Sequence, residues 1–564
     1  MSCLISRLVH HKFIPQSTVQ EIALEFYRNA KTSQAIRERK LRESLSMVGG
    51  LTVEDVNRVV KDVIEDDFFL KAQEELNTEY KRKKYVQDHM HYVAPVEILL
   101  NKAEMEKGKK KEVIHYVPMQ AAVKNLLEDN TFIQMMENHN NKPPKDGRKI
   151  VDIEDGNLFK ENQYFINNPD ALAILLYSDG VEMVNPLGAA RGTYKIVQVF
   201  FTLVNIPKIQ RSQIDRLQLG MIFKEKLLKQ YGYRVIYKAI LEDLMKLEEG
   251  IVINIPEPKT VKLGLLLHSS DNLEAHTIGG YSGSFSSKSI CRFCHCQYEE
   301  LETRIHDCDG EEPHARWSIQ EYDNIARSIE MPELVEEDET SRYPGNIEGE
   351  NDDSDSDTDI EEDSDDSDDS DIQSQNDEQV ETWGVKSVCP LNVLSSFHSV
   401  GGFPPDLLHD LMEGVIPEDL LSIIRTLSSK GWLSVESYNL ALKNLKWSSY
   451  ESGDKPQSVP QVNKVKKLKG KAVSNWVHMR NWPLIMEKFI VDMTDPILVL
   501  GLKLHEITER ITATEFFNYE IDLLGEAVME YLDLRKDARL RFPEFFGRPK
   551  PKHHYLRDSF IKYF

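Results

Sequence analysis

The stretch Ala171–Gly180, ALAILLYSDG, is an aliphatic run that breaks at Ser178 and ends on Asp179 before a glycine. Its length and composition mark a buried strand. A second stretch, Val261–Asp271 (VKLGLLLHSSD), has the same form and also ends on an aspartate. Between them Tyr194–Val204 (YKIVQVFFTLV) reads as another strand, whereas Ile214, Leu217, Met221 and Leu228, then Ile240, Leu241 and Leu244, have the spacing of long helical text. The expected order is strand, hairpin, long helix, strand. If the two outer strands are neighbours, Asp179 and Asp271 can share a divalent ion, the arrangement that activates water and stabilises a leaving oxygen in phosphoryl transfer. An aspartate before glycine is equally a turn signal, so the pair alone leaves both readings open.

Working outward, the chain of 564 residues is too long for one ordinary domain, and 40% hydrophobic residues are enough for a large core. The sequence has neither a membrane-length apolar run nor a secretory signal at its start, and is expected to be intracellular rather than secreted. The net charge of -24 looks hostile to nucleic acid until it is located. Glu336–Glu381 holds 22 acidic residues and one basic one, Arg342, and so carries nearly all of it. This segment cannot cover the entropy cost of folding and reads as a disordered tether. It is either a solvated linker or a tail that meets basic proteins, with serines followed by acids that suit acidophilic kinases.

The expected organisation is a helical N-terminal region over 1–115, a core with its cysteines over 116–335, the acidic linker over 336–384, and a mainly helical continuation over 385–564. In the first region Ser17 and Gln20 form a possible capping box, and a second helix starts near Thr52 with Val56, Val59, Val60 and Val63 as its stripe. Basic clusters at Lys107–Lys111 and Lys464–Lys471 are either solvated loops or contacts for phosphates or import receptors.

Three of the six cysteines crowd into SICRFCHC, Ser289–Cys296. With the other three far away, the pattern suits a metal site in a reducing compartment better than a disulfide framework, and zinc is the leading candidate. Cys291 and Cys294 would supply two thiolates, and tetrahedral closure needs two more ligands.

LLYSDGVEMVNPLGAARG, DNLEAHTIGGY, CRFC, PPDLLHDLMEG and PKHHYL occur here in the order found in CACTA (En/Spm-like) transposases of animal genomes, which the chain resembles from about Tyr116 onward. That group is similar to the catalytic subunit of the antigen-receptor recombinase. The resemblance implies an α/β ribonuclease-H-like core with large helical insertions and a DDE triad, Asp179 first and Asp271 second, using magnesium or manganese on DNA, commonly as a dimer. It also implies zinc held by Cys291, Cys294 and a closing histidine pair. The first histidine falls on His553, but Asp558 stands where the second belongs, and His554, His295 or Cys296 could substitute. Asp406 and His409 match a further motif, either beside the catalytic core or as a cap and a packed ring. The family's third carboxylate lies beyond the closing histidines, where this chain has no room for it.

These observations lead to the expectation of a transposase-derived nuclear protein whose cleavage and strand-transfer scaffold is inactive for want of a third acid. The alternative is a non-catalytic DNA- or chromatin-associated interaction protein.

Overall fold

The computed structural model describes residues 16–65, 78, 80–81, 83–85, 92–101, 111–140, 147–183, 194–214, 216–254, 257–283, 288–301, 316–330, 384–461 and 465–558. The acidic segment, apart from Gly384, lies outside the described residues, as do Cys3, Cys308 and Lys107–Lys110. Two units are distinguished, Met1–Pro95 and Val96–Phe564. Among the described residues no helix is long and apolar enough to cross a membrane.

The first unit contains helices α1 (Gln16–Ser46) and α2 (Val53–Glu65). Thr52 starts α2 as its sequence suggests. Its Oγ1 accepts the Asp55 amide at 3.1 Å, and the Asp55 carboxylate accepts the Thr52 amide at 3.2 Å, so two otherwise orphan donors are satisfied. Of the valine stripe Val60 is buried, whereas Val63 is exposed.

The second unit is mixed α/β. Strands β1 (Val96–Leu99), β2 (Val113–Tyr116), β3 (Leu172–Glu182), β4 (Lys195–Leu203), β5 (Gln218–Lys224) and β6 (Leu263–Ser269) form one mixed sheet in the order β1-β2-β5-β4-β3-β6. All neighbours are antiparallel except β3 and β6, which run parallel. The helical N-terminal region expected to reach 115 therefore gives way at Val96, where two strands join the main sheet.

A second correction concerns Gln218–Lys224. Leu217 and Met221 have helical spacing, yet the segment is a central strand, hydrogen-bonded to β4 on one side and β2 on the other. Ladder partners on both edges and the burial of Met221 and Phe223 outweigh a weak local period. Helices α3 (Lys226–Ile236) and α4 (Lys238–Glu249) then carry the chain to β6, with Ile240, Leu244 and Leu247 of α4 buried.

The first half of β3 and most of β6 are buried on both faces, which is why both read as continuous apolar runs. Their register shifts once: Ile174 faces Leu265 but Leu175 faces Leu267, so Leu266 is an extra residue in β6. Such a bulge re-aims everything beyond it, here the two strand ends. Gly264 lies near the start of the pairing, where a Cβ would sit 2.7 Å from both Ser396 and the Tyr164 ring. Gly264→Ala is expected to cost about 1–3 kcal/mol by overpacking, read as a lower urea midpoint.

Beyond β6 come α5 (Asn272–Ile278), a π-helix over Leu408–Val415, and then α6 (Ile416–Ser429), α7 (Val435–Asn444), α8 (Ala472–Met486), α9 (Pro496–Ile511), α10 (Asn518–Arg541) and α11 (Pro551–Asp558). Helix α6 is buried nearly all round although it carries Asp419, Ser422 and Thr426 among its buried residues, with Leu420, Leu421, Ile423, Ile424 and Leu427 packed among Trp482, Leu500, Leu504 and Val528. Gly501 lets α9 approach the Trp482 ring, since a Cβ there would stand 2.3 Å from it.

Candidate functional site

The parallel ladder of β3 and β6 ends at Tyr177 opposite Ser269. Asp179 and Asp271 each lie two residues beyond, both exposed. Asp271 is the N-cap of α5, its Oδ1 accepting the Glu274 amide at 2.7 Å. The second oxygen leaves the carboxylate able to serve another partner. Asp179 acts on the Tyr177 hydroxyl, whose pKa is pushed up to about 12 by burial first and by Asp179 next.

Beneath this rim the sheet is buried. Ser178 Oγ lies 3.0 Å from His268 Nε2, and burial pushes the His268 ring down to about 3, so it is neutral at physiological pH. Glu274, one turn into α5, was missed in the sequence reading. Burial pushes its carboxyl up to about 7, and Asp271, Asp179 and Glu225 add to the shift. Four acids therefore share one field. Because folded Glu274 holds its proton well above the ordinary value of 4.5, the folded state binds more protons than the unfolded chain between these values. Its contribution to stability is complete below pH 4.5 and is lost as pH rises through about 7. Glu274→Gln is expected to flatten the decline in unfolding free energy between about pH 5 and 8, measured by urea titration.

The motif PPDLLHDLMEG forms the entrance to the π-helix. Asp406 accepts the His409 amide at 3.0 Å and pairs with His409 Nδ1, so it is both a cap and a partner for that ring. The Asp406 bond raises the His409 pKa, with smaller contributions from Glu413 and Asp271, which places His409 on the carboxylate side. Gly414 is required by the π-turn, since a Cβ would stand 2.9 Å from the His409 carbonyl and 2.6 Å from Lys552. Lys552 Nζ donates to that same carbonyl at 3.0 Å. Π-helical turns are rare and concentrate at functional sites.

Asp410 is wholly buried, and burial pushes it up to about 7. Its Oδ1 accepts from Asn272 Nδ2 at 2.5 Å, while Asn272 Oδ1 accepts from Arg292 at 2.8 Å. Arg292 also donates to the Pro404 carbonyl at 3.0 Å. This buried arginine, between Cys291 and Cys294, thus ties the cysteine loop to the residue after Asp271 and to the chain entering Asp406.

The cysteine loop is folded back on itself by bridges Ser289 to Gln297 and Cys294 to Arg316. Cys291 Sγ accepts the Phe293 amide at 3.3 Å, and Cys294 Sγ lies 3.1 Å from His554 Nε2 on α11. The donor atoms of Cys291, Cys294 and His554 all lie within 4.8 Å of one another, and all three residues are buried. Tetrahedral zinc with Zn–S bonds near 2.3 Å sets its sulfurs about 3.8 Å apart, so this trio can hold a metal ion. His553 faces elsewhere. Its Nδ1 accepts the Lys550 amide at 3.0 Å, and its Nε2 lies 3.3 Å from Asp419 Oδ2. The chain thus places Asp179 and Asp271 just beyond one parallel ladder, brings Cys291 and Cys294 to His554, and leaves His553 in a separate ion-pair network. No protein-family model matches the chain and no curated protein matches it, so the site has to be understood from its own chemistry.

Proposed function

We propose that the chain is a transposase-derived, DNA-directed protein of the CACTA group, with a ribonuclease-H-like frame that presents Asp179 and Asp271 to magnesium or manganese. The carrying observation is the parallel pairing of β3 with β6, which sets Asp179, within β3, and Asp271, two residues past β6, in the field of the buried Glu274 carboxyl. The antiparallel strands β3, β4 and β5, followed through helices by a parallel strand beside the first, supply the frame such a site needs. Zinc at Cys291, Cys294 and His554 staples the last helix to that frame, a structural role for which buried thiolates and imidazole are the suitable donors.

In this reading the chain binds DNA and holds a divalent ion weakly, without cutting. Among the described residues the strand-end acids do not form a set of three donors within 4.8 Å, and an incomplete shell leaves both ions and water poorly fixed. Asp271 is in addition engaged through Oδ1 as a helix cap, which leaves one oxygen for an ion and excludes bidentate coordination while the cap holds. Manganese titration of the whole chain is expected to show weak binding, reduced at least fivefold by Asp179→Asn or Asp271→Asn, with no nicking of supercoiled DNA. Nicking that disappears on Asp271→Ala would overturn the inactive reading and direct attention to Glu413 as third acid. Manganese binding indifferent to both aspartates would remove the carboxylate reading altogether.

A further inference from the structure

We infer that Cys296 is the fourth ligand of the metal centre, making it a three-cysteine, one-histidine site with a net charge of -1 when zinc is bound. The inference rests on the zinc reading above and adds to it the identity of the closing donor. Two independent observations carry it.

The first is placement. Cys296 is completely buried in the same cluster as Cys291, Cys294 and Tyr555. The backbone turns it inward, because the Ile290 amide donates to the Cys296 carbonyl at 3.4 Å and Ser289 bridges to Gln297. Its thiol lies against the His554 ring, which it shares with Cys291. Its sulfur stands outside the set of three donors that lie within 4.8 Å of one another and instead makes a 3.6 Å contact with the Gln297 carbonyl, a weak restraint, so entering the metal shell takes a side-chain rotation. Among the described residues the other nearby candidates are occupied. His295 Nε2 pairs with Glu321 at 3.2 Å and its ring lies 4.1 Å from that of Trp317, while Cys389 sits apart from the thiol cluster, beside Tyr322.

The second observation is charge. Arg292 is buried, and it donates to the neutral Asn272 and to the Pro404 carbonyl, with the Phe293 ring 4.3 Å away. Among the described residues no carboxylate pairs with it directly; Asp410 reaches it only through Asn272, so the compensation of this buried cation is partial, and an incompletely paired buried charge is costly. A centre with two thiolates and two neutral histidines is neutral and leaves that cost in place. Three thiolates leave one negative charge, adjacent in sequence to Arg292, and offset it. The third thiol ionises on binding, its proton passing to solvent as its sulfur enters the metal shell.

The test is cobalt substitution in the full-length chain. Wild type is expected to give tetrahedral cobalt bands and a thiolate-to-metal charge-transfer intensity of three sulfurs. Cys296→Ser should cut that intensity by about a third and weaken metal binding at least tenfold. Cys296→His should restore affinity while keeping the reduced intensity, which separates ligand loss from misfolding. Cys389→Ala should change neither. Wild-type cobalt protein with two-sulfur intensity, unchanged by Cys296→Ser, would overturn the inference and leave the metal site intact, as would a loss of affinity on Asp558→Asn alone. Wild type that takes up no cobalt or zinc would overturn the metal reading itself.

Discussion

Asp419→Ala is expected to destabilise the helical half by about 3–5 kcal/mol, because it strips a buried arginine of its counter-charge. Asp419 on α6 and Arg535 on α10 are both wholly buried, with Arg535 Nε donating to Asp419 Oδ2 at 2.8 Å. The Tyr531 hydroxyl donates to the same oxygen, and His553 Nε2 is the further neighbour at 3.3 Å. Burial alone would raise the Asp419 pKa, but Arg535 and His553 outweigh it and hold the carboxyl well below the ordinary 3.8. The unfolded chain therefore takes up a proton first as pH falls, so this stabilisation is complete above about pH 4 and is lost progressively below it. The double variant Asp419→Leu, Arg535→Met should recover most of the loss, since replacing both charges avoids the unpaired ion. Urea unfolding of wild type and the variants at neutral pH checks the first expectation, and an acid titration checks the second. A double variant as unstable as Asp419→Ala would show that the cost lies in packing rather than charge.

If Cys291, Cys294 and His554 hold the proposed zinc, its removal is expected to have the other large effect. Helix α11 has eight residues, and helices that short are marginal in water without tertiary support. Its support is local and nameable: His554 at the thiols, the Tyr555 hydroxyl donating to the Ile290 carbonyl at 2.9 Å, and His553 at Asp419. Structural zinc contributes on the order of 10 kcal/mol in small folded peptides, much of it as folding free energy. Chelation, or Cys291→Ser, should accelerate amide exchange in Pro551–Asp558 at least tenfold while β3 and β4 stay protected. The Asp419 network should keep the segment from complete release, so His553→Ala combined with Cys291→Ser is expected to free it. Exchange in α11 that ignores the chelator would remove the metal from the account of its order.

The two strands were legible because a strand buried on both faces is written as an unbroken apolar run, but the end of β3 was not: it runs past Asp179 to Glu182, held by its ladder with β4. The Cys-x-x-Cys pair was legible for a similar reason, since its spacing is itself the chemistry. The choice between His553 and His554 was not. Adjacent helical residues point about 100° apart, and which one meets the thiols depends on where Asp419 and Arg535 seat the helix. Gln218–Lys224 deceived for the opposite reason. Its apolar residues match a helical period by coincidence, and what makes it a strand is the pair of ladders offered by Tyr116 and Val199, far away in sequence. Glu274 and Asp410 carried no signal beyond being acids on amphipathic helices. Their altered protonation comes from burial, which only the assembled unit defines.

The staple between Cys294 and His554 spans 260 positions. During synthesis at about 5–20 residues per second, a nascent chain would carry its cysteine loop for roughly 13–50 s before the partner histidine is made. Through that interval the thiols would have neither the imidazole nor the Tyr555 ring over them, and would be open to oxidants and to competing soft metals. The sheet needs no such wait, because Val96–Ser269 contains all six of its strands. The ribosome thus imposes an order on assembly: sheet first, acidic segment next, and the clasp only when the late helix returns to a loop that was translated long before.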